Sequence, residues 1–180
     1  FTAPRSQWIP TVSVADAAGW RAGEAPTPAE GLTVTRFAEG LDHPRSMLRL
    51  PNGDILVAET NRPPLEGGGI TGFFMRYFMD KAGAGVPSAN RITLLRDADG
   101  DGVAETRSAF ITGLSSPYGM ALAGDTLYVA NTDSIVAFPY EEGQTQITVE
   151  GTKMLGLPHA EPNMHWTRGL IASPDGARLF

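Results

Sequence analysis

The sequence predicts an all-β fold made of repeated four-stranded antiparallel units, the pattern of a β-propeller blade. Two observations carry this. Gly (21) and Pro (14) are both frequent among the 180 residues, which suits short strands joined by many turns better than a helical bundle. In addition, one strand–turn–strand unit recurs along the chain, and each full copy is followed by two further strand-like segments.

The elements follow in order. Residues 1–31 form an extended leader in which "RAGEAPTP" and "TPAEG" lack periodicity, with Trp8 and Trp20 expected to pin it to a surface. "LTVTRFA" then alternates around Leu32, Val34 and Phe37 and is expected to be the outer strand that completes the last blade of a closed ring. The propeller region is therefore placed at 32–180. Its first repeat opens with "HPRSMLRLPNGDILVAETN", two strands joined by the hairpin turn "PNGD". The second opens with "SPYGMALAGDTLYVANT", so that Pro44 and Met47 correspond to Pro117 and Met120. The third is "HWTRGLIASPDGARLF". "NRITLLRD" and "VAETRSAF" supply the third and fourth strands of the first unit, "DSIVAFPY" and "TQITVE" those of the second. Blade 1 thus covers about 44–112, blade 2 about 116–150, and blade 3 begins at about 165–180. A sandwich or barrel of repeated hairpins is the competing architecture. Three copies, the last incomplete, do not close a ring, so the expectation is a piece of a longer propeller chain with open sheet edges.

Composition narrows the function. A net charge of −6 argues against non-specific nucleic-acid binding. The absence of cysteine excludes disulfides, thiol catalysis and thiolate zinc sites. No apolar run reaches membrane-spanning length, so no transmembrane segment is expected. No signal-peptide pattern is visible within the 180 residues, which leaves open one removed before residue 1.

In a propeller, the segment before the first strand of a blade and the segment after the second share one face. Here those segments are His43–Arg45, Glu59–Arg62, Ser116–Tyr118, Asn131–Asp133 and Met164–Arg168. His165 stands just before an inner strand, where an imidazole is suited to general-base work or simply to hydrogen-bonding the neighbouring loops. Arg45 and Arg168 occupy equivalent repeat positions and either face an anionic cofactor or pair with loop carboxylates. Trp166 is a stacking platform or a core residue. His43 is a weak channel candidate and His159 a surface residue. On the opposite face, "DADGDGVAE" places Asp97, Asp99 and Asp101 at alternate positions, followed by Gly102 and Glu105. That spacing wraps carboxylates around a structural Ca²⁺, or makes a solvated acidic turn. "TGFFMRYFMDKAGAG" interrupts blade 1 on the His165 face as a short helix with Thr71 as N-cap, which shields the channel, forms a docking surface for an electron acceptor, or packs on its own blade.

"GLDHPRSMLRLPNGDILVAETN", "AGAGVPSANRITLLRDADGDGVAETR", "SPYGMALAGDTLYVANTD" and "HWTRGLIASPDG" together resemble the sorbosone-dehydrogenase-like quinoproteins, over about Trp8 to Phe180. That resemblance implies a six-bladed propeller holding pyrroloquinoline quinone (PQQ) and Ca²⁺. It implies oxidation of an aldose or sugar-derived aldehyde such as sorbosone to its acid or lactone, with electrons passed to a quinone or cytochrome. It assigns His165 as the base that takes the substrate hydroxyl proton, and it implies a periplasmic or secreted location. Met164 departs from the polar residue that such proteins often carry before this histidine, and most residues that hold the quinone come from later blades. Two alternatives stand beside this reading. One is a calcium-dependent lactonase with ligands such as Glu59 and Asn131. The other is a non-catalytic binding propeller.

Overall fold

The computed structural model describes residues 13–21, 23–63, 69–159, 163 and 165–180. Trp8 and Met164 lie outside the described residues. These residues divide into two compact units, one formed by residues 13–19 and 69–86, the other by the rest.

The larger unit is β-sheet. β1 (Pro44–Arg49), β2 (Ile55–Glu59), β3 (Arg91–Arg96) and β4 (Thr106–Ile111) form one antiparallel sheet in sequence order. β5 (Gly119–Ala123), β6 (Thr126–Ala130), β7 (Ser134–Pro139) and β8 (Thr152–Gly156) form a second of the same kind. The all-β expectation with four-stranded antiparallel repeats is met. A third hairpin follows, in which Ala172 faces Leu179 and Ile171 and Phe180 exchange backbone bonds of 2.9 and 2.8 Å.

Turn chemistry fixes the repeats. In "PNGD", Gly53 takes φ +94°, a region closed to most side chains, and the Leu50 N–H donates to the Asp54 carbonyl at 2.8 Å. The second hairpin turns at Gly124–Asp125, with Gly124 at φ +60° and Ala123 paired with Thr126. Alternation along the strands then sends one face of each sheet into a shared core. Leu50, Leu56, Ile92, Leu94 and Phe110 of the first sheet region join Met120, Leu127, Val129 and Phe138 of the second.

Two strand assignments from the sequence need correction. "TQITVE" is not the fourth strand of the second sheet; that strand is β8. Instead the segment lies on β4. The Ser108 hydroxyl donates to the Thr145 carbonyl at 2.6 Å and the Ile147 N–H to the Phe110 carbonyl at 2.7 Å, while the Ile147 side chain enters the shared core. Its strand propensity is satisfied by the neighbouring sheet. Gly151 then carries the chain across β7, where a Cβ would stand 2.4 Å from Val136. Likewise "LTVTRFA" forms no strand. It runs beside the approach to β4, with the Phe37 carbonyl accepting from the Ala104 N–H at 2.8 Å and the Glu39 carbonyl from Arg107 at 3.1 Å. Trp20, expected to anchor the leader, is 67% exposed and only lines a shallow cleft with Val34 and Arg36.

In the smaller unit, α1 (Gly69–Lys81) lies in sequence between β2 and β3. It starts two residues before Thr71, so Thr71 does not cap it. It ends at Gly83 (φ +72°), with Lys81 in the last turn, where a cation suits the helix dipole. The Lys81 carbonyl accepts from the Ala17 N–H at 3.1 Å. Among the described residues no helix is long and apolar enough to cross a membrane.

A buried carboxylate organises one end of the first sheet. Glu59 closes β2 and stands opposite Arg91 in the β2–β3 register. Its side chain is 0% exposed. Arg91 donates to both oxygens, at 3.2 and 2.8 Å, and the Thr93 hydroxyl and the Asp42 N–H donate as well. Arg91 also reaches Asp42 at 2.7 Å. Burial pushes the Glu59 carboxyl up, but Arg91, Thr93 and the Asp42 N–H outweigh it and hold it below the usual carboxylate range. At the other end Arg96 grips Asp54 bidentately, both contacts 2.7 Å, and holds that carboxyl low despite its burial.

A depressed folded-state pKa contributes stability above the unfolded pKa and loses it as pH falls through the folded value. Glu59→Gln should therefore cost about 3–5 kcal/mol near neutral pH, where it leaves Arg91 half-paired. The variant should also flatten the acid limb of a melting-temperature profile below pH ~4. A profile parallel to that of the parent protein would contradict this. Gly119 generates a second expectation. Its N–H donates to the Arg168 carbonyl at 3.0 Å, and an added Cβ would fall 2.5 Å from the Leu170 nitrogen. Gly119→Ala should destabilise by about 1–3 kcal/mol in urea unfolding.

Candidate functional site

The loops that precede β1 and β5 and that follow β2 and β6 gather at one end of the two sheets. The His43 carbonyl accepts from the Thr60 N–H at 3.2 Å, and the Ala130 carbonyl from the Tyr118 N–H at 2.9 Å. Three asparagines stitch successive loops together. The Asn90 side-chain oxygen accepts from the Ser88 hydroxyl at 2.6 Å and from the Ser116 N–H at 3.0 Å. The Asn131 side-chain oxygen accepts from the Ser115 N–H at 3.2 Å. Asn163 donates to the Thr132 hydroxyl at 2.8 Å.

The backbone at this end is strained. His43, Asn90 and Ser116 hold positive φ, at 55°, 51° and 44°. His43 and Ser116 each precede a proline at matching repeat positions, Pro44 and Pro117. Each such residue costs of order ~1–3 kcal/mol and persists only where its surroundings impose it, a condition that clusters at functional sites. The His43 Nδ1 is buried and has no hydrogen-bond partner among the described residues.

Trp166 is the centre of this end. It is 8% exposed, so it is packed rather than a free stacking platform. Tyr118 meets it edge-on, with ring centroids 6.3 Å apart and planes at 85°. The Arg45 guanidinium lies 5.5 Å from its ring centroid. His165, the next residue in sequence, is exposed. The two sequence-selected arginines differ. Arg45 is exposed and makes no ion pair or side-chain hydrogen bond among the described residues. Arg168 donates to the carbonyls of Thr132 at 3.3 Å and Pro158 at 2.9 Å, so much of its donor edge serves to brace loops. His159 is exposed, with its Nδ1 3.3 Å from the Leu157 carbonyl. Glu59 and Asn131, weighed as metal ligands, are occupied as described above.

The sequence reading missed Tyr118 as a contact of Trp166 and missed the Glu59–Arg91–Asp42 cluster. Opposite charges in strand segments were the available signal for the latter, but only register brings them opposite each other.

The acidic loop lies between β3 and β4, at the end remote from Trp166 along the strands. Asp97, Asp99, Asp101 and Glu105 each bring a carboxylate oxygen within 4.8 Å of the others. Backbone donors shape it. Asp97 accepts from the Gly100 and Gly102 N–H groups at 2.7 and 2.9 Å, Asp101 from Val103 at 2.8 Å, and Glu105 from Ala98 at 2.7 Å. Gly100 and Gly102 take φ +78° and +87° at the sharp bends. Among the described residues none of the four carboxylates forms an ion pair, and backbone N–H groups are the partners that hold them close.

No family model matches the chain. No curated protein matches it. The chain superposes on the structure of an enzyme of carbohydrate-active enzyme family AA12 from Trichoderma reesei, with a TM-score of 0.56 and 19% identity over 83% of this chain. The match spans about a third of that enzyme's length, 32%. The resemblance to sorbosone-dehydrogenase-like quinoproteins is therefore corrected. No family model carries it, and the structural likeness is to a family AA12 enzyme. At this identity the likeness establishes a shared fold.

Proposed function

We propose that this chain is part of a six-bladed β-propeller oxidoreductase that oxidises an aldose or sugar-derived aldehyde, with PQQ as its redox cofactor and a quinone or cytochrome as its final electron acceptor. The observation that carries the reading is the cluster at one end of the sheets. An exposed histidine, His165, adjoins a buried tryptophan on which an exposed, carboxylate-free arginine rests. The likeness in fold to a carbohydrate-active enzyme supports a sugar as substrate class, and the sequential four-stranded sheets support the propeller.

The residues present fit an anionic cofactor in part. Arg45 has its cationic edge available, whereas Arg168 has turned to backbone carbonyls and contributes little beyond its charge. When bound, the quinone supplies an acceptor for the hydride that leaves the sugar carbon. The chain's own part is acid–base work. A ring nitrogen of His165, exposed at this end of the sheets, takes the proton of the sugar hydroxyl as general base. The loop of Asp97, Asp99, Asp101 and Glu105 is proposed as a structural Ca²⁺ site, because a hard cation relieves the repulsion among four close carboxylates. The enzyme is proposed to work in the periplasm or outside the cell.

Dye-linked oxidation of aldoses by the intact protein, with and without PQQ, tests the function directly. Activity that depends on the quinone is expected; a folded protein inert with quinone present would overturn the assignment. His165→Ala should lower the chemical rate by roughly 10²- to 10⁴-fold. As the side chain is exposed, the melting temperature should not move. For the acidic loop, Ca²⁺ should raise the melting temperature over that in EDTA, and Asp99→Asn with Asp101→Asn should abolish the rise. Equal melting with and without Ca²⁺ would remove the metal from the proposal.

A further inference from the structure

We propose that Trp166 is a positioning residue that presents Arg45, with its charge uncompensated, to a carboxylate-bearing ligand. This deepens the site reading above and rests on it. Three successive repeats contribute one group each: Arg45 from the start of β1, Tyr118 from just before β5, and Trp166 from the segment before the third hairpin.

The physical point is how an arginine can be held. Arg91 and Arg96 are held by carboxylates, with contacts of 2.7–2.8 Å, and their charge is spent in being held. Arg45 is held by the face of an indole at 5.5 Å. A π face attracts a guanidinium through its quadrupole, yet it accepts none of the in-plane N–H bonds and does not cancel the charge. The planar donor fork therefore stays free for a bidentate oxyanion. The tryptophan is in turn fixed by burial and by the edge of Tyr118. Below Arg45, the Asp42 N–H bond to Glu59 and the His43 carbonyl bond from Thr60 fix the backbone that leads into it. A preorganised cation of this kind suits a carboxylate, whether that of PQQ or of a sugar acid.

The test uses the intact protein and two probes, PQQ and gluconate, which carry carboxylates with and without a quinone. Calorimetric affinity is measured for the parent, Arg45→Ala, Trp166→Leu, Trp166→Phe and the double variant Arg45→Ala/Trp166→Leu. Arg45→Ala should weaken binding of at least one probe by about 10- to 100-fold, the range for a lost bond to a charged group. Trp166→Leu should weaken it comparably, Trp166→Phe should restore most of it, and the double variant should be no worse than Arg45→Ala alone. Losses that multiply in the double variant would mean that Trp166 acts otherwise than through Arg45 and would overturn the proposal. So would binding of both probes indifferent to Arg45, or no binding of either. Arg45-dependent binding of gluconate without binding of PQQ would sustain the positioning role while ending the quinone reading. Should Trp166→Leu fail to fold, the NMR shifts of the Arg45 side chain in the parent decide. Protons above an indole face are moved upfield, and unshifted resonances would overturn the proposal.

Discussion

The buried Glu59 carboxylate is the constraint on which one end of this molecule depends. A charge with no exposure is tolerable only when every lone pair is engaged, and Glu59 achieves this with donors from two separate places. Arg91 and Thr93 lie on β3, and the Asp42 N–H lies in the loop entering β1. The carboxylate thereby fixes three chain segments at once. Asp42 is three residues before Arg45, and Glu59 adjoins Thr60, whose N–H holds the His43 carbonyl. The backbone that leads through the strained His43 to Arg45 is thus tied to this ion pair by the Asp42 N–H and by the Thr60–His43 bond.

Much of the fold was legible because its determinants are local. "PNGD" and "AGDT" specify tight hairpins through Gly53 and Gly124, and alternating apolar residues mark the inward faces. What was not legible was which sheet each strand-like segment joins. "TQITVE" carries the pattern of an edge strand, and nothing in that pattern says that Ile147 belongs against Phe110. "LTVTRFA" alternates equally well yet makes a single backbone bond to the approach to β4. Pairing partners depend on long-range geometry, and propensity only reports that a segment fits a pleated surface.

The site divides in the same way. The position of His165, at the start of a repeat and exposed, could be read from the repeat alignment. So could the kinship of Arg45 and Arg168, but not their different fates. The former rests on an aromatic face and the latter reaches two carbonyls. Repeat symmetry equates positions, whereas the surroundings supplied by the neighbouring unit decide chemistry. Asn90 and Asn131 both accept from backbone N–H groups of the Ser115–Ser116 loop, whereas Asn163 donates to the Thr132 hydroxyl.

The crossing of residues 145–147 onto β4 has a consequence for how the chain acquires its shape. The second sheet does not complete its own perimeter, because the connection between β7 and β8 finds its hydrogen bonds and its apolar berth on the first sheet. The edge strand β4 of the first sheet is therefore the surface on which that connection is laid. Chains emerge from the ribosome with the amino-terminal end leading. With the first sheet absent, Ile147 would keep only the second-sheet half of its core and lose its bond to the Phe110 carbonyl, so an order in which the first repeat is made first suits this crossing.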